Sequence, residues 1–149
     1  MLSDMAATET STALSTVLQL AYARTVVVRD VDASLEGHHG LGLNDLALLL
    51  ELHSAANGRL RRLDLAERLG ITPSGVARQL LPLERRGLVG RESHPDDARL
   101  AIVVLTEAGT RVVGDMLPTA EEAATRVLGR LWSSDEQGRA SALLQRARP

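Results

Sequence analysis

Apolar residues recur at spacings of three and four along most of this 149-residue chain, which is the period of an amphipathic α-helix. The spacing predicts four long helices, at residues 12–35, 44–56, 107–131 and 134–146, with Asn44 as the cap of the second. Ser133 and Glu136 have the spacing of a capping box at the start of the last helix. The run Val26–Val28 is also compatible with a strand, but the helical period of the residues before it favours a helix.

The middle of the chain has shorter elements. Arg59–Arg61 predicts a single edge strand, and residues 64–86 predict two short helices around a tight turn. Asp64 and Thr72 are suited to begin these helices as caps, and Gly70 to end the first of them. Pro73 would follow as the first residue of the second helix. Residues 88–93 and 100–105 then predict two strands, joined by a turn at 94–98.

Two helices around a turn, followed by a two-stranded ribbon, are typical of a winged helix-turn-helix. We therefore expect a mainly α protein with a small β-wing, folded as one domain over residues 1–149. Residues 43–105 would form the winged helix-turn-helix, and residues 12–35 and 107–147 would form N- and C-terminal dimerisation helices. The apolar residues that this small unit cannot cover are Leu14, Val17, Leu18, Val127, Leu128, Leu131, Leu143 and Leu144. A symmetric homodimer would bury them, whereas a monomeric bundle closing on itself is the alternative.

Charge is distributed unevenly along the chain. The net charge is −2, but residues 59–99 carry nine arginines and six acidic residues, so this segment is +3 and the rest is −5. A basic segment on an acidic body is typical of a nucleic-acid-binding protein. Cysteine is absent, which excludes disulfides, thiol redox sensing and a cysteine nucleophile. No apolar run is long enough for a membrane span and no signal peptide precedes the first helix, so we expect a cytoplasmic location without membrane partners.

The second short helix carries side chains suited to reading a DNA major groove. Ser74 and Gly75 are small enough for close approach, Arg78 can donate two hydrogen bonds to guanine, and Gln79 can pair with adenine. Contact of Arg78 with phosphate alone, which gives affinity without sequence preference, is an equal alternative. The candidate phosphate contacts are Arg61, Thr72, Arg85 and Arg86. For Arg85 and Arg86, capping of the helix end is the alternative.

The ribbon tip is a second candidate contact. An arginine at position 99 can enter a minor groove, where the negative potential is strongest, and Asp97 can orient its guanidinium. A plain surface salt bridge between Asp97 and Arg99 is the alternative. The preceding helix-turn-helix favours the DNA contact.

These motifs resemble the MarR family of winged-helix regulators. The resemblance is carried by LAxxLGITPSGVxR at residues 65–78, LERRGLV at 83–89, DxR at 97–99 and LTEAG at 105–109. It implies a homodimer that binds palindromic operators in double-stranded DNA, usually as a repressor released by a small aromatic or phenolic effector. The chain departs from the family at Ala98, where a second wing arginine is frequent, and in lacking the cysteines of oxidant-sensing relatives.

Other functions are less well supported by the residues. Tyr22 and His53 are candidate effector-pocket residues, although either can equally be an ordinary core or interface residue. We place Gly37–Gly40 in a solvated loop and predict neither a metal site at its adjacent histidines nor a cofactor. A winged-helix module that binds protein instead of DNA is the alternative function. An enzyme is not expected, because the adjacent carboxylates of Asp96–Asp97 and Glu121–Glu122 do not converge on a substrate.

Overall fold

The computed structural model describes residues 11–93 and 101–147. Within these ranges it has six α-helices, three strands and one turn of 3-10 helix at Ala56–Gly58. In chain order the elements are α1 (Thr12–His39), α2 (Leu43–Ser54), β1 (Arg59–Arg61), α3 (Arg62–Leu69), α4 (Pro73–Arg85), β2 (Val89–Ser93), β3 (Ala101–Leu105), α5 (Glu107–Leu131) and α6 (Ser134–Gln145). The mainly helical winged fold expected from the sequence is confirmed, and Val26–Val28 is helical.

Helix α2 lies at the centre of the core. Leu48, Leu49 and Leu52 on this helix are completely buried. They pack among α1, α3, α5 and β3, since α2 contacts all four of these elements. Helix α1 contributes buried residues only from its second half, where Val31 and Leu35 lie. The first half of α1 therefore projects beyond the core of this chain.

The three strands form one antiparallel sheet in the order β1-β3-β2. Leu60 of β1 pairs with Val103 of β3, and Val103 pairs in turn with Arg91 of β2. The middle strand is apolar and its Val103 is buried, whereas the outer half of β2 is exposed. We call the hairpin β2–β3 with its connecting residues the wing; the predicted turn at 94–98 lies outside the described residues.

Several predicted helix ends are confirmed. Gly70 ends α3 in the left-handed conformation, with φ of 64°. The Thr72 hydroxyl caps α4 by accepting a hydrogen bond from the Gly75 amide. Ser133 and Glu136 form the expected capping box. Its hydrogen bonds, first from the Ser133 amide and then from its hydroxyl, lower the pKa of the Glu136 carboxyl.

Two predictions are wrong, one for the end of α1 and one for the start of α2. Residues 37–39 are helical and not a loop, because α1 continues to His39 and ends at Gly40 with φ of 64°. Asn44 does not cap α2. Instead, the Asp45 carboxylate accepts from the Gly42 amide at 3.0 Å, and the distant Asp32 of α1 accepts from the Leu43 amide at 2.7 Å. A carboxylate supplied by another helix leaves no local signal in the sequence.

Two further predictions are corrected. Asp64 does not cap α3, which begins earlier, at Arg62; Asp64 lies in the first turn and pairs with Arg61. Val127 does not need a partner subunit, because it is 1% exposed within the single chain. Leu128 is half-buried against the same core. The helical spacing identified both residues as apolar, but only the packing of α5 on α1 decides which of them this chain covers.

No helix in the described part of the chain combines the length and the apolar character needed to cross a bilayer.

Gly109 in the first turn of α5 permits the closest approach between that helix and the wing. A Cβ atom on Gly109 would lie 2.2 Å from the Leu88 carbonyl oxygen and 2.6 Å from Leu105 Cδ1. The same junction is held by Thr106, whose amide donates to the Leu88 carbonyl at 3.1 Å and whose hydroxyl donates to the Gly87 carbonyl at 2.7 Å. The LTEAG motif therefore joins the base of the wing to α5.

We expect Gly109→Ala to lower the free energy of unfolding by about 3 kcal/mol, because backbone must move to admit the methyl group. Gly114→Ala in the same helix is the matched control, since a Cβ there meets nothing within 4 Å. It should raise the unfolding free energy by roughly 0.5–1 kcal/mol through the better helix propensity of alanine. Urea unfolding followed by circular dichroism measures both; equal stability of the two variants would contradict the close approach.

Candidate nucleic-acid interface

Helix α4 is held by one apolar face. Val76, Leu80 and Leu83 are at most 1% exposed, and the helix packs against α3 and β2. Pro73 at its first position and the Thr72 cap define where the helix begins. With this face buried, the opposite face of α4 is turned to solvent.

The outward face of α4 carries Ser74, Arg78, Leu81 and Arg85, all of them exposed. Their spacing of four, three and four residues places them in one stripe along the helix. Leu81 was not among the sequence-based candidates. It is 44% exposed, and an exposed leucine between two arginines has no evident packing role in this chain. Its spacing of seven residues from Ser74 was the signal that places it on the same face.

The other two predicted major-groove residues lie off this stripe. Gly75 is half-buried and its Cα approaches Thr72 and Ile71, so that a Cβ would lie 3.3 Å from the Thr72 hydroxyl oxygen. Gln79 is half-buried and turns toward α1 and α2. The structure thus brings Ser74 and Arg78 together on the outward face and sets Gly75 and Gln79 beside it.

The predicted phosphate contacts differ in whether their side chains already have hydrogen-bond partners within the protein. The Arg61 guanidinium donates to both Asp64 carboxylate oxygens, at 2.8 and 3.0 Å. These hydrogen bonds, and then the carboxylate charge, raise the pKa of Arg61. The hydroxyl of Thr72 accepts from Gly75 but still has its own proton to donate. Arg85 is exposed and forms no hydrogen bond or ion pair with any described residue.

Arg86 is engaged at a different place from the other arginines. Its Nη1 donates to the Gly40 carbonyl at 2.9 Å and its Nη2 to the His39 carbonyl at 3.0 Å. Both carbonyls lie at the C-terminal end of α1. Arg86 is therefore directed at the body of the protein and not at the outward face of α4.

The wing is tied to α4 at its base. The Arg91 side chain on β2 donates to the Glu84 carboxylate on α4. This hydrogen bond, and then the charge of Glu84, raise the pKa of Arg91. On the outer strands, Arg59 of β1 pairs with Glu92 of β2 at 3.0 Å. Asp97, Ala98 and Arg99 lie outside the described residues, so the minor-groove contact expected of Asp97 and Arg99 stays a prediction.

A cleft of about 830 Å³ lies between α1, α2 and the start of α4. Its charged lining mixes the acidic Asp32, Glu36 and Asp45 with the basic Arg24 and Arg78. Because Arg78 also belongs to the outward stripe, this cleft adjoins the candidate DNA-binding face.

Neither predicted effector-pocket residue lines this cleft. Tyr22 is 69% exposed on α1, and His53 is exposed near the end of α2. No packing against the core of this chain explains either residue. Among the described residues, no group of three or more acidic or histidine side chains is arranged to hold a metal ion.

A second, mainly apolar groove of about 610 Å³ lies between α1, the end of α5 and α6. It is lined by Leu20, Val27, Leu128, Trp132 and Leu144, among others. Helix α6 has no buried residue at all. The surface formed by the first half of α1 and by α6 is thus apolar and uncovered in the single chain.

A capped helix with an exposed outward stripe, preceded by a second short helix and followed by a two-stranded hairpin, defines a winged helix-turn-helix protein. The MarR family model matches residues 41–100, from just before α2 to the wing. This match, together with structural neighbours that are MarR family regulators, confirms the resemblance of this chain to that family.

Three relatives illustrate the similarity. Transcriptional regulator HosA of Escherichia coli O111:H- is 38% identical over 66 residues, which cover 44% of this chain and 48% of HosA. Sco3205 of Streptomyces coelicolor, a MarR family regulator solved in complex with DNA, superposes with a TM-score of 0.80 at 24% identity, covering 93% of this chain and 87% of Sco3205. CouR of Rhodococcus jostii RHA1, solved with p-coumaroyl-CoA, superposes with a TM-score of 0.72 at 26% identity, covering 91% and 94%.

The match to the curated relatives spans about half of their length. The family model covers the winged helix-turn-helix, whereas the structural superpositions extend over at least nine-tenths of the chain and show a likeness of fold.

Proposed function

We propose that this protein is a transcriptional regulator that binds double-stranded DNA in a sequence-specific manner as a homodimer. The observation that carries the proposal is the stripe Ser74, Arg78, Leu81 and Arg85 on a helix whose opposite face is buried. An α-helix presented in this way fits the width of the major groove. The DNA complex of the structurally similar Sco3205 supports the same use of the fold.

Each residue of the stripe has a distinct role in this proposal. Arg78 reads guanine with two hydrogen bonds, and Ser74 near the helix start contacts a base edge or the backbone. Arg85 contacts phosphate, as do Arg61 and the Thr72 hydroxyl, and Gly75 allows the backbone to come close. Gln79 reads adenine only if its side chain turns out of the cleft. Asp97 and Arg99 form the proposed minor-groove contact of the wing.

The homodimer is supported by the uncovered helices. A helix of 12 residues with no buried side chain has little reason to be stable by itself. Leu14, Val17 and Leu18 of α1 are 43–61% exposed, as are Leu131, Leu143 and Leu144 at the other end of the chain. A second copy related by two-fold symmetry covers both sets at once and presents two copies of α4 to a palindromic operator.

Repression relieved by a small effector is the finer part of the proposal. The cleft beside α4 is large enough for an aromatic acid or phenol. Arg24 and Arg78 offer partners for a carboxylate, and Asp32, Glu36 and Asp45 offer acceptors for a phenol hydroxyl. An effector that engages Arg78 there would withdraw it from DNA and favour a dimer geometry with weaker affinity for the operator. Tyr22 and His53 would take part only if the partner subunit encloses them.

The test of DNA binding is fluorescence anisotropy with duplexes from the region upstream of the chain's own coding sequence, at several salt concentrations. We expect tight binding that weakens as salt rises, because phosphate contacts release counterions. Arg78→Ala should relax base preference at one position in each half-site and cost about 1–3 kcal/mol there. Equal weakening on all sequences would make Arg78 a phosphate contact, and no binding even at low salt would favour the protein-interaction module.

Leu81 should read a thymine methyl group if the stripe lies in the major groove. Replacing thymine by uracil at each operator position in turn removes that methyl without changing the hydrogen-bonding groups. We expect one position at which uracil lowers the affinity of the wild type but leaves the affinity of the Leu81→Ala protein unchanged. If the two proteins respond alike at every position, Leu81 does not contact a thymine methyl.

The dimer surface is tested by introducing a charged side chain into it. Leu143→Glu should raise the dimer dissociation constant by about 30-fold or more, the size of a hot-spot substitution, because it buries an unpaired carboxylate. Leu63→Glu on α3 is the matched control, since Leu63 is 59% exposed and Leu143 is 61% exposed. Sedimentation equilibrium measures both. A monomeric wild type, or equal effects of the two substitutions, would contradict the proposed dimer surface.

A further inference from the structure

The end of α4 and the end of α1 meet at a single side chain. Arg86 directly follows α4 and donates to the carbonyls of His39 and Gly40, which end α1. The His39 ring in turn hydrogen-bonds with the Thr119 hydroxyl of α5 at 3.0 Å. The segment after α4, the end of α1 and helix α5 are therefore joined at one point.

This contact suits an arginine for two reasons. The last carbonyls of a helix have no partner within the helix, and they carry partial negative charge. A guanidinium presents its donors as a rigid fork, so one side chain can satisfy two neighbouring carbonyls at once. A lysine ammonium has the same charge but lacks the rigid pair of N–H donors.

The hydrogen bonds of Arg86 also link the α4 segment directly to α1. Helix α4 packs against α3 and β2, whereas α1 packs against α5 and α2. Over residues 11–93 and 101–147, the hydrogen bonds of Arg86 are the only ones that join the α4 segment to the end of α1.

Arg85, the neighbouring residue, provides a natural contrast. Its side chain lies on the outward stripe and has no hydrogen-bonding or charged partner among the described residues. Both arginines are exposed, but only Arg86 has hydrogen-bond partners, which are the two carbonyls at the end of α1.

We propose that Arg86 is a positioning residue that fixes the reading helix α4 relative to α1 and α5, and thereby sets the separation of the two reading helices in the dimer. This rests on the proposed function, in which α1 and α6 form the dimer surface. It replaces the sequence-based expectation that Arg86 contacts phosphate. Its effect on DNA binding is indirect: it raises the fraction of dimers whose helices match the spacing of the two half-sites.

The absence of cysteine from the chain allows a direct measurement without DNA. Ser74→Cys, labelled with a nitroxide, places one spin label on each α4 of a dimer. Double electron–electron resonance then gives the distribution of distances between the two reading helices. Adding Arg86→Ala should broaden or shift this distribution, and adding Arg85→Ala should leave it unchanged. An unchanged distribution in the Arg86→Ala protein would overturn the proposal.

DNA binding supplies the second readout. The probes are a palindromic duplex selected by the wild type from a random pool, and a duplex with one half-site. If Arg86→Ala leaves the helices correctly spaced in only a tenth of the dimers, affinity for the palindrome falls about tenfold. Affinity for the single half-site and the slope of affinity against salt should stay as in the wild type. Arg86→Lys should behave like Arg86→Ala, because one ammonium cannot replace the fork.

A phosphate-binding role for Arg86 gives the opposite pattern. Arg86→Ala would then weaken the half-site as well and lower the salt slope by about 1 for each phosphate that is no longer neutralised, while Arg86→Lys would retain binding. That result overturns the positioning role. Arg85→Ala should show this pattern and serves as the reference for it. Failure of the wild type to select any duplex would count against the proposed function, while the distance measurement would still decide whether Arg86 positions α4.

Circular dichroism, with thermal unfolding, shows whether a variant has lost the spacing of its helices or has lost its folded structure. Both Arg86 variants should keep the helical content of the wild type, and sedimentation should show the same dimer. A variant that is folded and dimeric but has lost the preferred spacing supports the proposal, whereas one that has kept the preferred spacing contradicts it.

Discussion

The burial of one face of α4 is the constraint on which the candidate site depends. Val76, Leu80 and Leu83 are inserted against α3 and β2, so the orientation of the helix about its own axis is set by apolar packing. Because side chains follow the 3.6-residue period, burying this face turns Ser74, Arg78, Leu81 and Arg85 outward together. The orientation of this outward stripe therefore does not depend on hydrogen bonds or ion pairs formed by its own side chains.

The wing depends on the same arrangement at its base. Gly109 lets α5 approach the Leu88 carbonyl, and Thr106 donates to the same turn with both its amide and its hydroxyl. Arg91 of β2 is held by Glu84 of α4, so the first strand of the wing is tied to that helix. The helix and the wing are thus coupled by short-range contacts, while both reach the terminal helices through α2, α5 and Arg86.

The arginines show why residue type alone does not assign a role. Arg61 forms a bidentate pair with Asp64, Arg85 is exposed without a described partner, and Arg86 binds backbone carbonyls of α1. From the sequence, all three were expected to contact phosphate. Their environments differ because the residues that surround them come from positions near in the sequence for Arg61 but more than 40 residues away for Arg86.

The sequence by itself determined the local features, because these depend on near neighbours. The helical period marked the elements, Thr72 with Pro73 began α4, Gly70 ended α3, and Ser133 with Glu136 began α6. Of the four proposed major-groove residues, the structure has Ser74 and Arg78 on the outward face, whereas Gly75 and Gln79 lie beside it. Only the tertiary structure decided which apolar residues the single chain covers, such as Val127, and which stay exposed, such as Leu81. It alone brought Asp32 to the start of α2 and Arg86 to the end of α1, since contacts between distant segments arise from the packing of whole helices and leave no local pattern.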